Sequence, residues 1–511
     1  MSANGPIGRA NGLLLVAAGL SFFAGLGATP LIDLDEGAFT AATVEMFVRG
    51  DFLSTYLNGE PRYDKPILTY WLQALFAWLF GFNEFALRLP SAFAGLTWTV
   101  LAYRFARRLY DVETAVAAAL ITATTLGTSL ITRLAIADAL LDTCIAAAVF
   151  SQYLWLRSGR SRDLYLAWAA MGLGFLVKGP VAVALPLAAL FLHCASQSRW
   201  RDFMTYVTRW RAVLLFLAIA LPWYVAVTWV KGPEFIESFF FRHNVGRFSG
   251  SMGRYHASGL FYYLPVALLA TLPYTALFAP LAARLRSLWQ DDFARYALIL
   301  FTLVFVLFSL SANKLPHYLL YGVSALLVLF ARHLRAARST WLLLPPLLLF
   351  IGLLFIPEAL DAARQGANPY YQTMLVDLDL HFGLAYRVSL ICAALAVVVF
   401  MIERKLAMST KLLVTGLMTA YGLSFVFLPA LGNVLQQPIK EAGLIGRDIN
   451  APLVMHGINT PSFGVYAGKV VQRRLPQAGE VALTQTDRLA ELPPHQLLFR
   501  SKNIALIMIT P

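Results

Sequence analysis

Apolar residues in this chain gather into long, nearly unbroken blocks rather than into alternating or one-faced patterns. The blocks cover about 12–31, 87–106, 114–132, 139–156, 164–180, 181–196, 212–230, 258–282, 294–312, 316–333, 341–357, 384–402 and 411–430. Several reach the ~18–20 residues that a helix needs to cross a bilayer. The pattern predicts an all-α polytopic membrane protein with about 13 transmembrane helices. The block 66–82 (PILTYWLQALFAWLFGF) stands apart. It is about 17 residues long, rich in Trp and Phe, and lacks a basic stop on either side. It reads as a helix lying in the membrane interface.

Charge placement orients these helices, because cytoplasmic loops collect Lys and Arg. With the N-terminus inside, the inner loops hold Arg104/Arg107/Arg108, Arg157/Arg160/Arg162, Arg199/Arg201/Arg209/Arg211, Arg284/Arg286, Arg332/Arg335/Arg338 and Arg404/Lys405. Every second loop is basic, and that alternation holds only if 66–82 does not span. Stretches 32–86, 231–257, 358–383 and 431–511 then lie outside. The last is rich in Pro, Gly and Thr and carries two β-like runs, VVQRRLP and ALIMIT. It reads as a small α/β extracytoplasmic domain. The chain thus divides into a transmembrane domain, 1–430, whose first loop 32–86 is the candidate catalytic segment, and a C-terminal domain, 431–511.

Composition excludes whole classes. The 511 residues are 59% hydrophobic and 14% charged, against roughly 45–50% and 25% in soluble domains. Neither an ordinary soluble fold nor a disordered chain fits. The net charge of +13 sits in short clusters between apolar blocks, which suits topology and anionic lipid rather than nucleic acid. Cys144, Cys194 and Cys392 lie in apolar blocks without metal or disulfide spacing, and read as helix-packing residues. The apolar run after Arg9 has no A-x-A-like site behind it and reads as a retained first helix. No P-loop, GxGxxG or GxSxG is present, so ATP-driven transport and Rossmann-type nucleotide-sugar chemistry lack support.

The outer loops carry the unusual residues. Asp35-Glu36 follows the first span, and a carboxylate at a membrane face is costly unless it is used or paired. The same pair also suits the first turn of a helix over EGAFTAATVEMFVRG, where acids complement the dipole. Asp64-Lys65-Pro66 puts a cation at the mouth of the next apolar segment, either for a lipid phosphate or as an interface anchor. Asp138 and Asp142 enter a span on one helix face. Asp138 is the functional candidate there, against a capping role or help from Arg133, and Asp142 is structural. Lys178-Gly179-Pro180 fits a phosphate contact and a tight turn equally. Arg242, His243 and Arg247 flank an aromatic stripe in 231–257, and Lys314, His317 and Tyr318 join two spans on the same face. Each suits a phosphate or sugar, or snorkelling cations and an aromatic belt. All fall on one side of the membrane, which suggests a phosphate-bearing lipid substrate.

In order along the chain come Asp35-Glu36-Gly37, Glu45-Met46, Gly50-Asp51, Leu57-Asn58-Gly59, Tyr63-Asp64-Lys65-Pro66, Tyr70-Trp71, Phe80-Gly81, Glu84 and Arg88-Leu89-Pro90. This series resembles the bacterial C-type membrane glycosyltransferases that include the lipid A aminoarabinose transferase, with protein O-mannosyltransferases as more distant relatives. Lys178-Gly179-Pro180 with Pro186, and Lys314-Leu315-Pro316 with Tyr318, extend the match over about 12–330. Asp64-Lys65-Pro66-Ile67 departs from the Glu-Lys-Pro-Pro usual in relatives.

The resemblance implies transfer of a sugar, aminoarabinose or another pentose or hexose, from a polyprenyl-phosphate donor. It implies a bacterial inner-membrane enzyme with a periplasmic active site, acting on lipid A or a related envelope glycolipid and commonly inverting the anomeric centre. It implies Asp35 and Asp138 as catalytic carboxylates, and Lys65, His243 and Arg247 at the donor phosphate. Glu36, Tyr63, Asp64, Lys314 and Tyr318 would line the substrate site. The cofactor is left open, with a divalent cation one possibility. Transfer to protein Ser/Thr hydroxyls is the alternative within the class. A lipid-linked sugar transporter or flippase is the alternative outside it, but it would show repeats and midplane polar residues.

Overall fold

The computed structural model describes residues 6–245 and 259–510, with side chains from 12 to 242 and from 259 to 510. Each expected apolar block contains helix, with non-helical stretches at 24–31 and 271–274. Among the described residues seven helices are long and apolar enough to cross a membrane, or nine when the two bent pairs Tyr263–Ala270 with Thr275–Ala282 and Thr340–Leu354 with Ile356–Arg364 each count once. The first run, Val112–Thr124 and Val181–Ala195 form shorter apolar helices. The segment Leu68–Phe80 is a 13-residue helix. It is about 20 Å long, short of a ~30 Å hydrocarbon core. It buries Thr69, Tyr70, Gln73, Ala74 and Ala77 on one side and exposes Trp71, Leu75, Trp78 and Phe80 on the other.

Helices Glu84–Leu109, Asp138–Ser158 and Pro316–Leu334 form the centre of the bundle, whereas Trp210–Lys231 and Leu384–Ile402 are mostly uncovered. A membrane helix that leaves its apolar side chains uncovered loses nothing when those side chains face lipid. Within the centre, Phe105 stacks on Phe150 at 4.3 Å and abuts Phe293 at 5.2 Å. The first run ends in a π-helical turn, Gly19–Phe23, whose carbonyls cannot find helical partners. Arg133 supplies them, donating to Ser21 O at 3.2 Å and Ala24 O at 2.7 Å. Arg133 therefore serves the first helix, not Asp138.

One buried ion pair ties the first loop to the bundle. Arg88 donates from Nε and Nη2 to the two oxygens of Glu36, at 2.7 and 2.8 Å. Its remaining N–H groups reach the carbonyls of Leu26, Thr29 and Pro30 at 2.9, 2.7 and 3.0 Å. Glu36 in turn accepts from the amides of Ile32 and Ala135 at 2.7 and 2.8 Å.

The helix expected to end near 430 runs on as one 41-residue element, Met408–Asp448. Val434, Ile439 and Ala442 are buried along its second half, so an apolar stripe continues where the unbroken block stops. The helix is about 60 Å long, twice the hydrocarbon thickness, and it delivers the chain to a five-stranded sheet. Strands β3 (Leu453–Met455), β4 (Gln472–Arg473), β5 (Val481–Gln485), β6 (His495–Ser501) and β7 (Ile504–Ile509) take the order β4-β3-β5-β7-β6. β3 runs parallel to β4 and β5, and the other pairings are antiparallel. Leu453, Met455, Val481, Leu483, Ile504 and Leu506 form one buried face, packed with Phe463, Ile439 and Ala442. Two further strands, β1 (Tyr56–Leu57) and β2 (Glu60–Pro61), lie in the first loop.

Arg88→Ala should destabilise the protein by about 3–5 kcal/mol, because it leaves Glu36 buried and unpaired. Thermal unfolding in detergent checks this, and Glu36→Ala should cost a similar amount.

Candidate active site

The first loop builds one side of the site. Asp35 and Glu36 open helix Asp35–Arg49, and successive helical side chains point about 100° apart. Glu36 turns inward and is 2% exposed, while Asp35 faces outward. Gly50 (φ 67°) ends the helix, and the chain returns through β1 and β2, paired antiparallel. Their two-residue turn needs positive φ twice, which Asn58 (56°) and Gly59 (88°) supply. The hairpin is pinned to the helix. Gly59 N donates to the Glu45 carboxylate at 3.2 and 3.3 Å, and Arg49 Nη2 donates to Gly59 O at 2.9 Å. Burial raises the Glu45 pKa from its ordinary value, against the pull of the Gly59 amide and of Arg49, whose Nε lies 3.4 Å from the carboxylate.

This return places Arg62, Asp64 and Lys65 against the helix that begins with Asp35. Arg62 Nε and Nη2 donate to Asp64 Oδ1 and Oδ2 at 2.6 and 3.2 Å, and its guanidinium lies 5.1 Å from the Phe39 ring centre. Lys65 Nζ donates to Asp64 O and Oδ2 at 3.2 and 3.3 Å. Burial opposes the Arg62 charge, but Asp64 and, more distantly, Asp35 outweigh it, and its pKa stands above the usual arginine value. Asp64, expected at the substrate, is taken up by these two cations and fixes where Lys65 sits. Tyr63 is buried, with its ring 5.7 Å from Phe235.

Three helices of the bundle build the other side. Asp138 begins helix Asp138–Ser158, and Lys178 ends helix Ser161–Lys178. Lys178 Nζ donates to Asp138 Oδ1 at 2.6 Å, and the Tyr321 hydroxyl donates to the same oxygen at 2.6 Å. Lys178 also reaches the Tyr321 hydroxyl at 2.8 Å and lies 5.0 Å from the Tyr318 ring centre. His317 Nε2 is 3.4 Å from the same Asp138 oxygen. Residues Pro316–Gly322 form a 3₁₀ helix, in which positions three apart eclipse. Tyr318 and Tyr321 therefore share a face, with ring centres 5.8 Å apart. The charges acting on His317 come from Asp138 and Lys178, and then from Asp35 and Lys65. His317 thus joins the two halves of the site.

The remaining expected residues divide. Glu36, expected at the substrate, is a correction: Arg88 and two backbone amides occupy its carboxylate. Lys314 is expected there too, and the structure gives it one carbonyl partner. It donates to Ser311 O at 2.9 Å, just past the end of helix Asp292–Leu310, where terminal carbonyls lack helical partners. The backbone of His243 belongs to the π-helical stretch Glu237–Val245, its side chain lies outside the described ones, and Arg247 lies outside the described residues. Asp142 is fully buried, and among the described residues neither of its oxygens has a hydrogen-bond partner. Among the described residues no three His, Cys, Asp or Glu side chains gather as metal ligands. Sequence reasoning underweighted Lys178 and missed Arg62 and Tyr321. The one usable signal was an ionisable or hydroxyl group at the outer end of each apolar block.

Comparison with known proteins places this architecture. A family model described as dolichyl-phosphate-mannose-protein mannosyltransferase matches residues 64–225. The undecaprenyl phosphate-alpha-4-amino-4-deoxy-L-arabinose arabinosyl transferase of Pseudomonas aeruginosa (strain UCBPP-PA14) is 32% identical over 377 residues, 70% of this chain and 66% of that one. The match therefore spans just under two thirds of that enzyme's length. An uncharacterized protein of Aquifex aeolicus is also 32% identical, over 60% of this chain and 68% of its own. The crystal structure of ArnT from Cupriavidus metallidurans bound to undecaprenyl phosphate superposes with a TM-score of 0.82, covering 98% of both chains at 21% identity. Its apo form gives 0.79 at the same identity, covering 99% of this chain and 98% of that one. The fold is thus that of the two ArnT structures, a polytopic helical bundle with a small C-terminal sheet domain. In sequence the chain is similar to the arabinosyl transferases over 70% of its length, and to the mannosyltransferase family model over 64–225.

Lys178→Ala should lower stability by about 3 kcal/mol by removing the closest cation from buried Asp138. The double variant Lys178→Ala/Asp138→Ala should recover most of that loss, since the two residues interact directly. Unfolding midpoints of the four proteins measure the coupling.

Proposed function

We propose that this protein transfers a sugar, aminoarabinose or another pentose or hexose, from a polyprenyl-phosphate donor to an envelope acceptor, with lipid A or a related glycolipid as that acceptor. The observation that carries the reading is the convergence of outward-facing Asp35 with Lys65 and the Asp138–Lys178–Tyr321–His317 cluster at one end of the bundle. The bond from the anomeric carbon to the donor phosphate breaks, a bond to an acceptor oxygen forms, and polyprenyl phosphate departs. Lys65, with His243 and Arg247 of the 231–257 loop, stabilises the charge that develops on the departing phosphate. Asp138 holds Lys178, His317 and Tyr321 beside that position, and Tyr63 and Tyr318 supply apolar walls. An ionised phosphate acceptor needs no base, so toward lipid A Asp35 orients the acceptor.

The mannosyltransferase family match favours a second reading, with a protein hydroxyl as acceptor. Asp35 would then take the hydroxyl proton, a contribution typically of about 10²–10⁴-fold.

The topology we propose has the site and the C-terminal domain in the periplasm of a bacterial inner membrane, and the N-terminus inside. Its support is the polarity of the central helices. Helix Glu84–Leu109 carries Arg88 at one end and Arg108 at the other, where Arg108 meets Asp163 at 2.9 Å. Helix Val323–Leu334 continues from the Tyr318–Tyr321 turn to Arg332, which meets Asp291 at 2.7 Å. The basic ends thus lie opposite the site.

Transfer of radiolabelled sugar in vesicles containing purified protein, a polyprenyl-phosphate sugar and lipid A tests the reaction. Label on lipid A supports it, and label on a Ser/Thr peptide instead supports the second reading. Asp35→Asn should lower turnover to background while folding persists, and measurable turnover removes Asp35 from the mechanism. Lys65→Ala should raise KM for the donor about tenfold or more, as expected for loss of a charge-assisted contact, and leave KM for the acceptor unchanged. A reporter fused after Pro511 should be active outside the cytoplasm.

A further inference from the structure

The C-terminal domain reaches back to the catalytic loop at one residue that the mechanism above does not use. Asp33 lies two positions before Asp35. Its Oδ1 accepts from the Ser462 amide at 3.1 Å, and its Oδ2 accepts from the Ser462 hydroxyl at 2.5 Å. Ser462 begins the short helix Ser462–Ala467 of the C-terminal domain. One turn on, the Tyr466 hydroxyl accepts from Leu31 N at 2.7 Å and donates to Glu84 at 3.0 Å. Lys440 holds Glu84 at 2.6 Å, and Arg447 holds the Tyr466 carbonyl at 2.9 and 2.7 Å. The domain therefore grips residues 31 and 33, directly ahead of the turn that presents Asp35. Gly37 shows how close the contact is. A Cβ there would lie 1.8 Å from Asp33 Oδ1 and 2.9 Å from Ser462 N, so a side chain would force the surfaces apart.

We propose that Asp33 is a positioning residue: it clasps the C-terminal domain onto the helix that starts with Asp35, and the strength of the clasp depends on whether its carboxyl holds a proton. Among the described residues the geometry supplies donors but no cation. Around Asp33 stand its neighbour Asp35, Glu36 of the same loop, the Tyr370 phenol of helix Pro369–Met374, and the uncharged Ser462. Glu36 is itself neutralised by Arg88. Burial, reinforced by the Glu36 charge and opposed by the two Ser462 bonds, pushes the Asp33 carboxyl up to about 7. A carboxyl raised in the docked state favours docking when protonated. The clasp is therefore tightest in acid, and it slackens as pH climbs from the ordinary carboxylate range through about 7. Either protonation state can bond Ser462, but only the neutral one avoids the cost of an unpaired charge on this half-buried carboxyl.

Hydrogen exchange on the full-length protein in lipid nanodiscs, corrected for intrinsic rates, tests the clasp directly. Between pH 5.5 and 8.5, amides of 35–40 and 462–467 should lose protection about tenfold in the wild type. Asp33→Asn keeps an acceptor for the Ser462 amide and a donor for its hydroxyl, so its protection should be high and independent of pH. Asp33→Ala should be unprotected at every pH. A pH transition in Asp33→Asn equal to that of the wild type, or wild-type protection in Asp33→Ala, overturns the proposal. The kinetic arm rests on the glycosyl-transfer reading. There, Asp33→Ala should lower kcat with donor KM unchanged, and Asp33→Asn should lose the wild type's alkaline decline in kcat. A merely structural Asp33 would move neither the pH profile nor the kcat–KM split in this way. If the wild type transfers no sugar at all, the transfer reading fails while the exchange experiment still decides the clasp.

Discussion

The five N–H groups of Arg88 are all spent on one small region: two on Glu36 and three on the carbonyls of Leu26, Thr29 and Pro30. A charged pair this deeply buried stabilises only when every donor and lone pair is met, and here the amides of Ile32 and Ala135 complete the set. The rest of the site depends on this arrangement. It fixes the irregular chain leaving the first helix, sets the rotation of helix Asp35–Arg49, and joins both to the approach of the Asp138 helix. With Glu36 locked inward, the helical repeat turns Asp35 outward. The two adjacent acids thus have opposite fates for one geometric reason.

Beyond that anchor, the site is made from helix ends. Asp138 starts one membrane helix, Lys178 finishes another, and Tyr321 lies in the tightened turn that opens a third. Ionisable groups are costly in hydrocarbon, so the ends of spans are where a bundle can hold them. Two donors on one Asp138 oxygen, Lys178 and Tyr321, with His317 beside them, leave the cluster preorganised. Lys65 reaches the same region from the loop side, held by Asp64. A phosphate entering between the halves would meet cations already in place.

The C-terminal sheet domain is more than an appendage. The long helix Met408–Asp448 carries it out of the bundle, and its short helix Ser462–Ala467 folds back onto the first loop. Leu31, Asp33 and Glu84 all bond residues of that helix. The first loop is therefore held between the bundle, through Arg88, and the sheet domain, through Ser462 and Tyr466.

The sequence alone determined what depends on local composition and short spacing. Long apolar blocks can only be membrane helices, because backbone groups must be satisfied within the segment. Asp35-Glu36 opens a helix, Gly50 closes it, and Asn58-Gly59 turns a hairpin, each for reasons contained in a few neighbouring residues. The grouping of acids and cations at one face was also legible, because helix ends alternate between the two sides. Only the tertiary structure decided which charges pair. Arg88 meets Glu36 across 52 positions, Tyr321 meets Asp138 across 183, and Ser462 meets Asp33 across 429. No periodicity encodes such contacts, because they follow from how whole helices pack. For the same reason Glu36 looked like a ligand in the sequence, whereas Arg88 and two amides occupy its carboxylate.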